Sequence, residues 1–149
     1  MSEALLEVAG LSKTFIARQG FMGGASGRVH ALSDVSFSVQ PGEAFGLVGE
    51  SGCGKSTAGR AILRLIEPDA GSVRFKGEDI RAAGARRLRQ LRRAIQIVFQ
   101  DPYSSLNPRR TIGQTLGEPM AVHGMGTAAE IRAAVEAVLA EVGMPSDAA

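Results

Sequence analysis

Hydrophobic and polar positions alternate from Val29 to Val39 (VHALSDVSFSV), with Val35, Phe37 and Val39 on one face and Ser36 and Ser38 on the other. Period two predicts a half-buried strand. A short apolar stretch from Leu5 to Val8 predicts an earlier strand. The Gly-rich segment between them, Phe15 to Gly27, predicts a loop. Pro41-Gly42 predicts a tight turn. Ala44 to Val48 (AFGLV) is apolar without alternation, the pattern of a strand covered on both faces in a parallel sheet. After a Gly-rich loop, Ala58, Ala61, Ile62, Leu65 and Ile66 recur at helical spacing and predict a helix from Lys55 to Ile66, ended by Glu67-Pro68. Asp69 to Gly71 predicts a turn and Ser72 to Lys76 a strand.

Further on, Gly84 to Ala94 predicts a basic helix, Ile95 to Phe99 (IQIVF) a strand, and Asp101 to Arg110 a loop rich in Pro, Ser and Asn. Two helices follow. The second opens with Thr127 and Glu130 in capping-box spacing and carries the stripe Ile131, Val135, Val138, Leu139 and Val142. No internal repeat is visible. The order of elements predicts an α/β fold with an antiparallel β layer added early and helices inserted late.

Composition narrows the classes. The chain has 149 residues, 44% hydrophobic and 21% charged, the balance of a globular protein. A net charge of +2 is too small to imply nucleic acid. Arg86, Arg87, Arg89, Arg92 and Arg93 cluster. Leu88, Leu91 and Ile95 nevertheless form an apolar stripe that leaves the arginines toward solvent, and no aromatic residues are interleaved for base stacking. Nucleic acid is therefore not expected as a partner. One cysteine, Cys53, excludes an intrachain disulfide. The N-terminus lacks the basic and apolar regions of a signal peptide. No apolar run approaches the roughly 18–20 residues that cross a bilayer. A cytosolic chain able to dock on a membrane protein is expected.

The sharpest signal is Gly49-Glu50-Ser51-Gly52-Cys53-Gly54-Lys55-Ser56, which matches G-x-x-x-x-G-K-[ST] at every fixed position. Glycines let successive backbone N–H groups curl around phosphate oxygens. The loop runs into a helix N-terminus, whose free N–H groups and dipole favour an anion. Lys55 supplies a cation for the β and γ phosphates, the Ser56 hydroxyl a ligand for Mg²⁺, and Thr57 a further hydroxyl near the α phosphate. The expected ligand is ATP with Mg²⁺. For Cys53, a redox switch is weighed against a small residue that fits the loop, and the second reading is preferred.

Gln100 follows the IQIVF strand, well beyond this loop in sequence, and opens the loop DPYSSLNPR. A glutamine there can hold Mg²⁺ and orient the attacking water, since it both donates and accepts hydrogen bonds. In context, LSKTF (Leu11–Phe15), VHALSDVSFSVQPGE (Val29–Glu43), GESGCGKST (Gly49–Thr57) and IVFQDPYSSLNPR (Ile97–Arg109) resemble the nucleotide-binding subunits of ABC transporters. The nearest resemblance is to the ATP-binding subunits for dipeptide and oligopeptide uptake, a group that also serves nickel and glutathione import.

That resemblance implies a P-loop NTPase fold of the ABC type, with residues 1–100 as β layer and P-loop core and 101–149 as Q-loop and start of a helical subdomain. It implies that Gly49 to Thr57 is the Walker A loop, Phe15 the aromatic that stacks on adenine, and Gln100 the Q-loop glutamine. Tyr103, Ser104, Leu106 and Arg109 become candidates for contact with a membrane subunit. Implied partners are transmembrane permease subunits, a second ATP-binding subunit and, indirectly, a periplasmic or extracellular substrate-binding protein, at the cytoplasmic face of the membrane.

The family pattern continues with an LSGGQ signature, a Walker B strand and a switch histidine, none of which falls within these residues. His30 and His123 precede where the signature would fall and read as ordinary surface or loop residues. An incomplete domain with exposed AFGLV edges is expected, with ATP hydrolysis left undecided. Two further classes stay open: a module that binds ATP without turnover, and a non-transport ABC ATPase, which only the arginine cluster supports.

Overall fold

The computed structural model describes residues 4–17, 27–101 and 106–145. The chain divides into two compact units, Met1–Ile95 and Gln96–Ala149.

The first unit is built on a four-stranded antiparallel sheet in the order β2-β1-β3-β4. Its strands are β1 (Leu6–Ala17), β2 (Gly27–Val39), β3 (Ala70–Phe75) and β4 (Glu78–Asp79). Two helices accompany the sheet, α1 (Lys55–Ile62) and α2 (Ala85–Ala94). Val8 on β1 lies opposite Phe37 on one side and Val73 on the other. With Leu11, Leu32, Phe75 and Ile80 these residues line the core, joined by Ala58 and Ala61 from α1 and Leu91 from α2. Burial of each large apolar side chain there contributes about 1.5–3 kcal/mol.

β1 runs on past Val8 because its alternation is broken by irregular pairing. Val8 pairs with Phe37 but Leu11 with Val35, so β1 advances three residues while β2 advances two. The extra residue is taken up near Gly10, which has φ 62°. The shift returns Leu11 to the face of Val8, and both are buried. Hydroxyls satisfy the displaced backbone: Gly10 N–H donates to Ser36 Oγ at 2.9 Å, and Asp34 N–H donates to Ser12 Oγ at 3.0 Å. Phe15, Ile16 and Gly27, expected in a loop, therefore belong to β1 and β2, while 18–26 of that loop lie outside the described residues.

α1 stops four residues earlier than its apolar spacing predicts. Leu65 N–H donates to Arg60 O at 2.8 Å and Arg64 N–H to Ala61 O at 2.9 Å, the two bonds that close a helix with a left-handed residue. That residue is Arg64, at φ 51°. Its guanidinium holds the position by donating to Glu67 Oε2 at 2.7 Å and to Ala83 O at 2.7 Å. α2 adds Arg92, whose Nη2 donates to the carbonyls of Leu63 at 3.2 Å and Arg64 at 2.7 Å. Arg92 thus turns inward to the negative end of α1, whereas Arg86, Arg87, Arg89 and Arg93 face solvent as expected. Arg87 pairs with Glu78 of β4 at 2.7 and 2.6 Å, which holds the Glu78 carboxyl below the ordinary carboxylate range.

Two expected strands do not form. Residues 44–48 and 95–99 are extended in sequence character but pair with no strand among the described residues. A strand is defined by its neighbour, and the four strands of the sheet are all antiparallel and belong to the β layer. Phe45 packs on Phe37, ring centroids 4.8 Å apart, while Val48 is 91% exposed and Val98 88%.

The second unit is a helical hairpin of α3 (Ile112–Val122) and α4 (Ala128–Glu141). Both helices open with a capping box. The one on α4, Thr127 with Glu130, was expected; the one on α3, Thr111 with Gln114, has the same spacing. Val135 and Leu139 are buried, with Val135 and Ile131 packed near Gly117 of α3. Val138 and Val142, expected in the same stripe, are exposed.

Candidate functional site

The turn at Pro41-Gly42 forms as expected, with Glu43 N–H donating to Gln40 O at 3.1 Å and Gly42 at φ 77°. It launches 44–48, and these lead into the loop Gly49 to Gly54. Within the loop Cys53 N–H donates to Glu50 O at 3.3 Å, closing a turn through Ser51 and Gly52. Gly54 is the residue before α1, at φ 99° and ψ 0°, and offers no side chain to cap the helix. A Cβ at Gly54 would stand 2.2 Å from Ala31 O on β2. The backbone conformation and the close approach both require glycine there. A Cβ at Gly49 would meet Cys53 Sγ at 2.6 Å, so Cys53 fills the space above a bare backbone. That contact accounts for a small side chain at position 53.

Lys55 reaches back across the loop. Its Nζ donates to Gly49 O at 2.6 Å and Glu50 O at 2.7 Å and lies 3.5 Å from Cys53 Sγ. The ammonium is thereby held over the loop backbone, close to the first turn of α1. The first helical bond there runs from Ala58 N–H to Gly54 O at 2.8 Å, so the amides of Lys55, Ser56 and Thr57 have no acceptor within the helix. No acidic side chain sits in that first turn to compete for them. Unpaired N–H groups, the positive end of the helix dipole and one fixed ammonium make a site for a multiply charged anion. The exposed Ser56 hydroxyl begins the same turn. Its chemistry fits Mg²⁺, which takes one or two protein oxygens and completes its shell with phosphate oxygens and water.

Phe15 is 41% exposed, so it is not a core residue. Its place follows from register. Leu32, whose Cδ2 lies 3.3 Å from where a Gly54 Cβ would be, is opposite Lys13 on β1. Phe15 is two residues beyond Lys13, on the same face, and opposite Val29. The ring thus lies on the side of the sheet that carries Gly54. Val29 is two residues from Ala31, the β2 residue that touches the loop and that the register shift after Lys13 leaves out of the pairing. Lys13 carries no motif, yet its Nζ lies 5.7 Å from the Phe15 ring centroid. Its signal in the sequence is the i, i+2 spacing from Phe15, legible once β1 is known to continue past Gly10.

Gln100 is exposed and belongs to the second unit. Tyr103 and Ser104 lie outside the described residues, Leu106 is exposed, and Arg109 N–H donates to Asn107 Oδ1 at 3.0 Å. His30 is exposed, its Nδ1 3.1 Å from Thr14 Oγ1, and His123 follows the last turn of α3.

Comparison with known proteins agrees with this geometry. The family described as ABC transporter matches residues 32–149. The chain is 47% identical over 143 residues to the oligopeptide transport ATP-binding protein AppF of Bacillus subtilis (strain 168), covering 95% of this chain and 44% of AppF. It is 45% identical over 142 residues to the glutathione import ATP-binding protein GsiA of Salmonella paratyphi A, covering 95% of this chain and 23% of GsiA. It therefore spans less than half the length of these relatives. Among solved structures, the dimeric ATP-binding cassette MJ0796, in a post-hydrolysis state bound to ADP and Pi, superposes with a TM-score of 0.69 at 25% identity. That match covers 87% of this chain and 53% of the other. The structure of cbiO1 from Clostridium perfringens, part of the ABC transporter complex cbiONQ, gives a TM-score of 0.66 at 26% identity over 96% of this chain and 52% of the other. With a glycine-rich loop closed by Lys55 on a partial P-loop NTPase fold, the chain belongs to the ABC transporter family.

Proposed function

We propose that the chain forms the nucleotide-binding part of an ATP-hydrolysing subunit that energises an ABC importer of peptides. The observation that carries this reading is the Lys55 ammonium fixed over the carbonyls of Gly49 and Glu50 at the start of α1. In this reading the amides from Gly49 to Thr57, Glu50, Ser51, Gly52, Cys53 and Gly54 among them, wrap the phosphates. Lys55 exchanges its carbonyl partners for β and γ phosphate oxygens. Phe15 stacks on adenine, as a flat apolar ring suits a purine face. Ser56 and Gln100 would hold Mg²⁺, which would offset charge on the phosphates, and Gln100 would orient the attacking water.

The peptide assignment rests on the IVFQDPYSSLNPR stretch and on the oligopeptide and glutathione import proteins it resembles. The partners are permease subunits, a second ATP-binding subunit and, through them, a substrate-binding protein. In this reading residues from about 101 to 149 supply the Q-loop and the start of the helical subdomain that meets the permease at the cytoplasmic face of the membrane. No helix among the described residues is long and apolar enough to cross a membrane.

Calorimetric titration of the full chain with Mg-ATP tests the reading. A saturable site is expected, weakened about 10- to 100-fold by Lys55→Ala, the effect of losing a hydrogen bond between charged groups. Equal affinity of the folded Lys55→Ala protein would refute it.

A further inference from the structure

The turn after α1 reaches back to the strand that carries Phe15. Asp69 Oδ1 accepts from Lys13 Nζ at 2.8 Å, and Asp69 Oδ2 accepts from Thr14 N–H at 2.7 Å. Asp69 N–H in turn donates to Ser12 O at 2.8 Å. Three consecutive residues of β1 are thus tied to one aspartate, and the next residue is Phe15. The need for this tie lies in the sheet. β3 begins at Ala70, which pairs with Ser12, so beyond Ser12 the β3 side of β1 has no ladder partner among the described residues. The Asp69 carboxylate stands in for the missing strand and accepts the Thr14 amide that would otherwise be left to water.

The brace is itself held. Arg81 Nη2 donates to Pro68 O at 3.2 Å and Arg81 Nη1 donates to Gly71 O, on either side of Asp69. Lys13, hydrogen-bonded to Asp69, holds that carboxyl below the ordinary carboxylate range, with Thr14 N–H adding to the effect. The Lys13 side chain is only 17% exposed. Its ammonium joins Asp69 to the Phe15 ring 5.7 Å away, a cation–π distance.

We propose that Asp69, acting through Lys13 and the Thr14 amide, is a positioning residue that fixes the Phe15 ring to receive the base of the nucleotide. Asp69 lies in the connection from α1 to β3, next to the first residue of β3, and in this reading the N-terminus of α1 holds the phosphates. One continuous segment therefore sets both ends of the ligand, the phosphates at the start of α1 and the base through the residue that leads into β3. The inference rests on the reading of Phe15 as the stacking residue. It predicts that Asp69 matters for ligands with a base and not for those without one.

The test uses the full chain and two probes, Mg-ATP and Mg-tripolyphosphate, titrated by calorimetry. Phe15→Ala is expected to weaken ATP about tenfold, within the range for base–aromatic stacking, and to leave tripolyphosphate unchanged. Asp69→Ala is expected to weaken ATP several-fold, to leave tripolyphosphate unchanged, and to add nothing in the Phe15→Ala background. Lys13→Arg, which keeps the cation for both partners, should bind ATP as wild type does, while Lys13→Ala should behave as Asp69→Ala. Asp69→Asn, which retains an acceptor for Thr14 but not the charge for Lys13, should fall between. If Phe15→Ala weakens ATP but Asp69→Ala does not, the positioning role is wrong and the stacking role stands. If Asp69→Ala weakens both probes alike, its effect is general damage and the proposal is also overturned. If Phe15→Ala leaves ATP unchanged, the stacking reading itself fails and takes this inference with it.

Discussion

Lys55 and Gly54 show how much chemistry a local motif can carry. The positive φ of Gly54 and its approach to Ala31 O allow α1 to start where its amides and the Lys55 ammonium converge. Gly54→Ala should therefore destabilise the fold by about 2–4 kcal/mol, through left-handed strain and a backbone contact that cannot yield. Urea unfolding measures it, and a loss under about 0.5 kcal/mol would show that β2 moves aside. These residues were legible in the sequence because the geometry of the loop is set within nine consecutive positions. Phe15 was legible only by resemblance, since what places it is a cross-strand register with three irregularities in pairing. Lys13 and Asp69 were not legible as a pair. They are 56 residues apart, and only the fold brings ammonium and carboxylate to 2.8 Å.

At the scale of the element, helix ends obey local rules, and helices were read well where those rules acted alone. α1, α3 and α4 all finish with the same pair of backbone bonds around a left-handed residue. At α3 and α4 that residue is glycine, Gly124 and Gly143; at α1 it is Arg64, which carries no such signal. Strands fared differently, because 44–48 and 95–99 have strand composition but no partner among the described residues. The capping box of α4 makes a pH prediction. Glu130 accepts from Thr127 N–H at 2.7 Å and from the Thr127 hydroxyl at 2.8 Å, and these bonds hold its carboxyl below the ordinary value of 4.5. A lowered folded value means the contribution is complete above pH 4.5 and is lost as pH falls through the lowered value. Urea unfolding of wild type against Glu130→Gln should show a constant difference from pH 7 to about pH 5 that shrinks on further acidification. A difference independent of pH down to about pH 3 would rule out the charged cap.

For the whole molecule, the β layer and the two helices beside it share one core. That core joins residues far apart in sequence, Leu11 with Val73 and Leu91. Leu11→Ala should cost about 2–5 kcal/mol in chemical denaturation, since Leu11 is fully buried at the centre of the sheet. The alternation of β2 announced this layer, while the irregular pairing of β1 concealed half of its length.

The exposed Val48 and Val98 have a consequence for handling the protein. Apolar side chains set out on an extended stretch favour association with a similar stretch, including one from another molecule. Sedimentation velocity should accordingly reveal self-association that grows with concentration, and Val48→Lys with Val98→Lys should suppress it by placing like charges at the exposed positions. A sharp monomer boundary at every loading would mean that these side chains are shielded in solution.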